Sequence, residues 1–325
     1  MKAVRVNQWC GPRDLTIEQI ANPEPTENEV LIKVESAALN FPDLLLIAGK
    51  YQVKPELPFT PGLEVAGTVE QAGPGATSVK PGQQVMAQLA SGGLAEYVVA
   101  PVTSVTAMPR GMTFDEAAGF PLVYQTSYFG LAYRAALRKG ETVLVHSAAG
   151  GVGLAAVQIA RALGAGKVIG TAGADSKLDL IRDQGADVAL NYQTEDFVDV
   201  VKRETKGRGA DVIYDPVGGE VGERSTKCIA FEGRLLIIGF TSGKFSNFVS
   251  NHILIKNYSI VGLHWGSYRH HNPALIEQAW KELTALYEDG KLKPVVGARY
   301  QMDSVAEAME HLGSRQAVGK VVLHW

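Results

Sequence analysis

Cysteine is scarce. Only Cys10 and Cys228 occur in 325 residues, far apart, which excludes both a disulfide-stapled scaffold and a cysteine-rich zinc site and fits a reducing compartment. Positive charge is not in excess either: 31 Lys plus Arg face 34 Asp plus Glu, for a net charge of −3. No basic field is available to follow a phosphate backbone, so nucleic acid is not an expected partner. No apolar run reaches the roughly 18 residues that a membrane span requires. The start, MKAVRVNQW, alternates like a strand and carries no apolar signal core. The expectation is a cytoplasmic chain with no membrane partner. Low-complexity segments and short-period repeats are also missing. Glycine is what is abundant: 35 residues, about 11% against an average of about 7%, as expected where backbone turns tightly or approaches a ligand closely. At roughly 150 residues per domain the length predicts about two domains.

Two textures follow one another along the chain. Up to about residue 122, short apolar runs such as EVLIKVESAAL (29–39) and EVAGTVEQAG (64–73) alternate with turn residues, which predicts a β-rich, partly closed barrel or sandwich. From about 123 to 262, strands alternate with helices: TVLVHS (142–147), a helix over 152–163, KVIGTAG (167–173), a helix over 176–184, VALNYQ (188–193), ADVIYD (210–215), GRLLIIGF (233–240) and SIVGLHWG (259–266). This βαβ rhythm predicts a doubly wound parallel sheet, and its strands lack polar alternation because helices cover both faces. Residues 263–325, ending in the strand GKVVLHW, are expected to return to the first domain.

The most informative segment is TVLVHSAAGGVGLAAVQIARALGA. An apolar strand runs into Ala148, Ala149, Gly150, Gly151, Val152 and Gly153 and then into a helix. Small residues at such a turn let backbone amides reach a pyrophosphate at the positive end of the helix, so the turn is expected to bind a dinucleotide. An NAD-preferring site would place Asp or Glu at the end of the next strand, about 20 residues on. Thr171, Ala172 and Gly173 stand there instead, and Lys177 follows. Neutral small residues leave room for a 2′-phosphate and a lysine can pair with it, which favours NADPH, with Asp175 as the opposing feature.

The segments NFPDLLLIAGKY (40–51), PGLEVAGTV (61–69), VHSAAGGVG (145–153), GTAGADSK (170–177), YDPVGG (214–219) and the closing VGKVVL together resemble the medium-chain dehydrogenase/reductases. Within them the likeness is to the zinc-free quinone oxidoreductases related to zeta-crystallin, along essentially the whole chain. The resemblance implies an α/β protein in which a Rossmann doubly wound parallel sheet is inserted in a β-rich, GroES-like catalytic domain. Where zinc-dependent members have their first ligand this chain has Asn40, and Leu63 stands in place of their histidine; only Glu64 is kept. Amide and isobutyl groups cannot replace thiolate and imidazole, so Lewis-acid activation of an alcohol is excluded.

The chemistry left is hydride delivery from a nicotinamide to an acceptor that takes electrons readily, such as a quinone, with the protein supplying proximity and a few hydrogen-bond donors. Asn40 and Tyr51 are the candidate donors, and Asp43 fixes the loop or carries a proton path. The resemblance also places Thr126 by the nicotinamide half of the cofactor, and Lys177, Tyr192 and Arg315 around the adenosine phosphate. Phe240, Leu263 and Trp265 follow strand ends, where ligands collect in such folds. Leu45 and Trp265 depart from some relatives and would reshape the substrate pocket. His270 and His271 are adjacent, so their side chains diverge, and they read as surface residues. The resemblance also implies a homodimer, for which the apolar SIVGLHWG edge is the candidate pairing strand. Two readings compete with quinone reduction: an NADPH-dependent enoyl or 2-alkenal reductase, and an NADPH-binding structural or RNA-binding crystallin-like protein.

Overall fold

The run EVLIKVESAAL forms a single strand, β3 (Glu29–Leu39), buried along most of its length. Before it come β1 (Lys2–Arg5) and β2 (Thr16–Gln19); after it come β4 (Glu64–Ala72), β5 (Gln84–Gln88), β6 (Tyr97–Pro101) and β7 (Val105–Ala107). The next strands are β8 (Thr142–Val145), β9 (Lys167–Ala172), β10 (Val188–Asn191), β11 (Ala210–Asp215), β12 (Ile229–Ile237) and β13 (Ser259–Gly262), and the chain closes with β14 (Val296–Gln301) and β15 (Lys320–His324). The computed structural model describes all 325 residues. They divide into two units, Met1–Leu122 with Pro294–Trp325, and Val123–Lys293.

The first unit is the β-rich one. Its main sheet runs β14-β15-β3-β4-β5-β7, with β6 also paired to β3, beside a separate β1–β2 ribbon. The last strand lies parallel to β14 and antiparallel to β3, Val321 opposite Leu39 and Leu323 opposite Ala37, so the tail does return to the first unit. Ile32, Leu39, Val65, Val85, Val321 and Leu323 form the middle of its core.

The second unit is a six-stranded parallel sheet in the order β10-β9-β8-β11-β12-β13, the doubly wound Rossmann arrangement. Leu144, Ile169, Ile213 and Leu235, one from each of four neighbouring strands, join a single core cluster. Two boundaries differ from the sequence expectation. β12 stops at Ile237 and β13 at Gly262, because the ladder between them pairs only Arg234–Ile237 with Ser259–Gly262; beyond it, Trp265–Ser267 form a short 3-10 turn. The return also begins at Pro294, not at 263. Residues 263–293 stay with the second unit, where the Tyr128 hydroxyl donates to Glu282 and the Gln158 amide donates to Lys293 O at 2.9 Å. No helix is long and apolar enough to cross a membrane.

Candidate active site

In the second unit, β8 ends at Val145 and the chain turns through 146–150 into the helix Gly151–Ala162. Neighbouring strands fix that turn. His146 N–H donates to Tyr214 O of β11 (3.0 Å), Ala148 N–H to Thr171 O of β9 (2.8 Å), and Gly150 N–H back to Ser147 O (3.1 Å). Ser147 has φ +52, a left-handed backbone that costs a residue bearing a Cβ roughly 1–2 kcal/mol. The glycines differ in their reasons. A Cβ at Gly153 would lie 2.2 Å from Ser147 O, so that glycine exists for close packing of helix on turn. A Cβ at Gly150 would meet nothing nearer than 3.5 Å, and no side chain caps the helix there. Its first-turn N–H groups therefore lack carbonyl partners within the helix and face an open position at the positive end of the dipole. Ala149 is buried below; Gly151 and Val152 are half-buried. A diphosphate fits this cradle.

Beneath the turn His146 is fully enclosed, with Nε2 2.8 Å from Ser225 Oγ and Nδ1 3.3 Å from Thr171 Oγ1. The Ser225 hydroxyl already donates to Val221 O (2.7 Å), so it accepts from Nε2–H and leaves Nδ1 to accept from Thr171. Burial pushes the His146 pKa down to about 4, and the ring is a neutral structural strut.

At the end of β9, Gly173 and Tyr192 are brought together: a Cβ on residue 173 would sit 2.6 Å from the Tyr192 hydroxyl. Tyr192 is exposed, and Lys177 is half-buried at the end of the short turn Asp175–Lys177, its pKa lowered by desolvation. Asp175, the residue that argued for NAD, has its carboxylate engaged by the Asn191 amide at 2.9 Å. Thr126 lies on the helix Pro121–Tyr128, and its neighbour Ser127 donates to Val152 O at 3.0 Å, tying that helix to the glycine turn. Phe240 lies past β12, edge-on to Phe245 at 4.7 Å, and Leu263 is half-buried just past β13. Trp265 is buried in an aromatic cluster, edge-on to Phe129 at 6.2 Å with the Arg269 guanidinium 5.3 Å above its ring, so its bulk serves packing within this unit.

In the first unit, Asn40 precedes the helix Phe41–Ile47, and its N–H donates to Asp43 Oδ2 at 2.8 Å, which closes the helix start. The Asn40 side chain does not stand open as a donor for a ligand. Its Nδ2 donates to Glu64 Oε1 (2.9 Å) and its Oδ1 accepts from Lys320 Nζ (2.6 Å), all within buried surroundings. Both ends of the Asn40 amide, read from sequence as a substrate donor, are thus engaged by side chains of the first unit. Tyr51 is half-buried, and its hydroxyl pKa is raised by burial and then by the charge of Asp43. Leu45 is half-buried on the same short helix. Arg315 is exposed in the first unit with φ +63.

Two family models match the chain: the alcohol dehydrogenase GroES-like domain over residues 26–110 and the zinc-binding dehydrogenase model over 151–285. The quinone oxidoreductase-like protein 2 homolog of Nematostella vectensis is 40% identical, over 99% of this chain and 88% of that protein. The chain belongs to the zinc-free quinone oxidoreductase family of medium-chain dehydrogenase/reductases. Among solved structures, the Escherichia coli quinone oxidoreductase complexed with NADPH superimposes with a TM-score of 0.93 at 30% identity, covering all of both chains. A CurK enoyl reductase gives 0.90 at 30% identity, covering 99% of this chain and 98% of that one.

Two residues of this quinone oxidoreductase-family site escaped the sequence reading. Lys320 appears there only as part of a closing strand, and Glu64 only as the remnant of a metal site. The one available signal was a lysine opening the apolar run KVVL, since a lysine on a buried strand needs a carboxylate partner.

Proposed function

We propose that this oxidoreductase uses NADPH to reduce quinones by hydride transfer without a metal. The observation that carries the reading is the glycine turn of the second unit: an uncapped helix start, open at Gly150, followed by a strand end that offers Gly173, Tyr192 and Lys177, with the nearby Asp175 carboxylate bonded through Oδ1 to the Asn191 amide. A coenzyme bound there supplies the hydride. The backbone N–H groups of 151–153 hold the diphosphate, Lys177 and the Tyr192 hydroxyl take the 2′-phosphate, and Thr126 orients the nicotinamide end. In the first unit Tyr51 donates to the acceptor oxygen, Asn40 and Asp43 set the loop that carries it, and Leu45 on the same short helix shapes the acceptor's surroundings. The likeness to a quinone oxidoreductase-like protein and to a quinone oxidoreductase complexed with NADPH supports this choice.

The enoyl reductase among the structural neighbours keeps a second reading in view, since 2-enals and enoyl thioesters need the same hydride and an enolate donor. A kinetic screen with both coenzymes over 1,4-benzoquinone, 9,10-phenanthrenequinone, trans-2-enals and enoyl thioesters tests the proposal. NADPH-dependent quinone turnover is expected; a strong preference for the enals or thioesters overturns the substrate class. We further infer a homodimer. β13 has β12 on one side and no strand on the other, with exposed Val249, Leu254 and Ile255 just before it, and a second copy adding its own β13 would complete that edge. Light scattering at micromolar concentration that gives a monomer mass overturns this.

A further inference from the structure

Lys320 is 5% exposed, and all three N–H bonds of its ammonium are spent inside the first unit: on Leu39 O (2.8 Å), Asn40 Oδ1 (2.6 Å) and Glu64 Oε1 (2.8 Å). Glu64, fully buried, also accepts from Asn40 Nδ2 through Oε1 (2.9 Å) and from Leu122 N–H through Oε2 (2.8 Å). The Asn40 amide therefore stands between a cation that only its oxygen can meet and a carboxylate that only its nitrogen can meet, and just one of its two orientations satisfies both. An asparagine before a helix ordinarily turns its oxygen onto an N–H of the first turn. Here Lys320 holds that oxygen, and the helix start is closed instead by Asn40 N–H on the Asp43 carboxylate (2.8 Å) and by Asp43 N–H on Asn40 O (2.9 Å). A buried ion pair commonly adds no stability over a well-packed apolar pair of the same volume; the distinctive product of this one is the fixed orientation of residue 40.

We propose that Lys320 is a positioning residue of the reduction: through Asn40 it holds the helix Phe41–Ile47 and the turn that presents Tyr51 to the acceptor. The proposal rests on the reading of Tyr51 as the donor to that acceptor. Each link is a bond within the first unit. The ammonium fixes the Asn40 side chain, and Asp43, in the first turn of the helix, bonds both the N–H and the carbonyl of Asn40. At the far end Lys50 N–H donates to Leu45 O (2.8 Å), Gly49 N–H to Leu46 O (3.0 Å) and Cys10 N–H to Ile47 O (2.9 Å), and Tyr51 follows directly. Lys320 itself is placed by the sheet. It opens β15, whose next residue, Val321, lies opposite Leu39, the last of β3, so the ammonium reaches across the end of the ladder to the residue that precedes the helix. Its stem is closely packed as well, since a Cβ on Gly119 would sit 2.9 Å from Lys320 Cγ.

Lys320→Met in the full chain keeps most of the stem and removes the ammonium. Its quinone kcat should fall by about tenfold or more, since misplacing a reacting group by about 1 Å can cost on the order of a hundredfold, while the KM for NADPH stays at the wild-type value. Hydrogen exchange over 40–51 should quicken, with exchange over 142–162 unchanged. If the unpaired Glu64 keeps that variant from folding, Lys320→Met/Glu64→Gln, which removes both charges of the pair, decides by the same measurements. Leu323→Ala is the control: it lies on the same strand and in the core, opposite Ala37 and without a bond to residue 40, so it should lower the melting temperature yet leave kcat in place. Wild-type kcat and exchange in Lys320→Met, or an equal loss of kcat in Leu323→Ala, overturns the positioning role. Faster exchange over 40–51 in the variant of a protein whose wild type reduces neither quinone nor enal overturns the functional reading, while the tie between Lys320 and the helix stands.

Discussion

Lys177 is half-buried, and desolvation already lowers its pKa, so an anion arriving there restores what burial costs the ammonium. Replacing it with Ala should raise the KM for NADPH about tenfold, equivalent to about 1.4 kcal/mol, and leave that for NADH nearly unchanged. Steady-state kinetics with both coenzymes checks this, and equal effects on both would remove Lys177 from the phosphate site. The amide at position 40 and the isobutyl group at 63 lead to a second expectation: dialysis against EDTA should leave quinone reduction intact, and activity lost and then restored by zinc would contradict it. Lys177 could be nominated from sequence because the features that single it out are near neighbours along the chain. Asn40 could be read only halfway. Its type and its place before a helix were visible, but the ammonium that occupies its carbonyl comes from residue 320, and no local pattern announces a bond spanning 280 positions.

The strand–turn–helix unit at 142–162 was legible because each part agrees with the next: an apolar strand, small residues at the bend, and a helix of strong formers. What the glycine spacing did not reveal is the division of labour within the bend. Gly153→Ala would press a methyl group against Ser147 O and Ala148 Cα, so about 1–3 kcal/mol of stability should be lost to overpacking. Gly150→Ala meets only ordinary contacts and should fold normally while coenzyme binding weakens, because its methyl group occupies the open approach to the cradle. Thermal denaturation and a fluorescence titration with NADPH separate the two, and the interpretation fails if Gly150→Ala binds as well as wild type. Strand ends were less legible than strand centres. LLIIGF reads as one apolar run, yet the ladder is limited by the length of its partner, and β12 stops at Ile237.

Composition and the change of texture near residue 122 placed the first domain boundary, while the second moved from 263 to 294. The bonds that hold 263–293 to the second unit join the side chains of Tyr128 and Gln158 to positions 282 and 293, and such pairings are invisible to periodicity. The same long-range burial sets how stability depends on pH, because two enclosed groups pull in opposite senses. The pKa of His146 is about 4 in the folded protein against an ordinary 6.5; its stabilisation is complete above about 6.5 and is lost as pH falls toward 4. The pKa of Asp43 is about 7 against 3.8; folding keeps a proton that the unfolded chain releases, so its stabilisation is complete below about 3.8 and is lost as pH rises through 7. Between roughly pH 4 and 6.5 the two slopes oppose each other, and above that only the Asp43 loss continues. Asp43→Asn removes one slope and leaves the other. The variant should therefore gain on wild type as pH rises from 5 to 8, by roughly 3 kcal/mol for a shift of this size, most of it before pH 7. Urea midpoints of both proteins at pH 5, 6.5 and 8 measure the gain, and a difference that stays constant across that range would mean that Asp43 is ionised in the folded chain throughout.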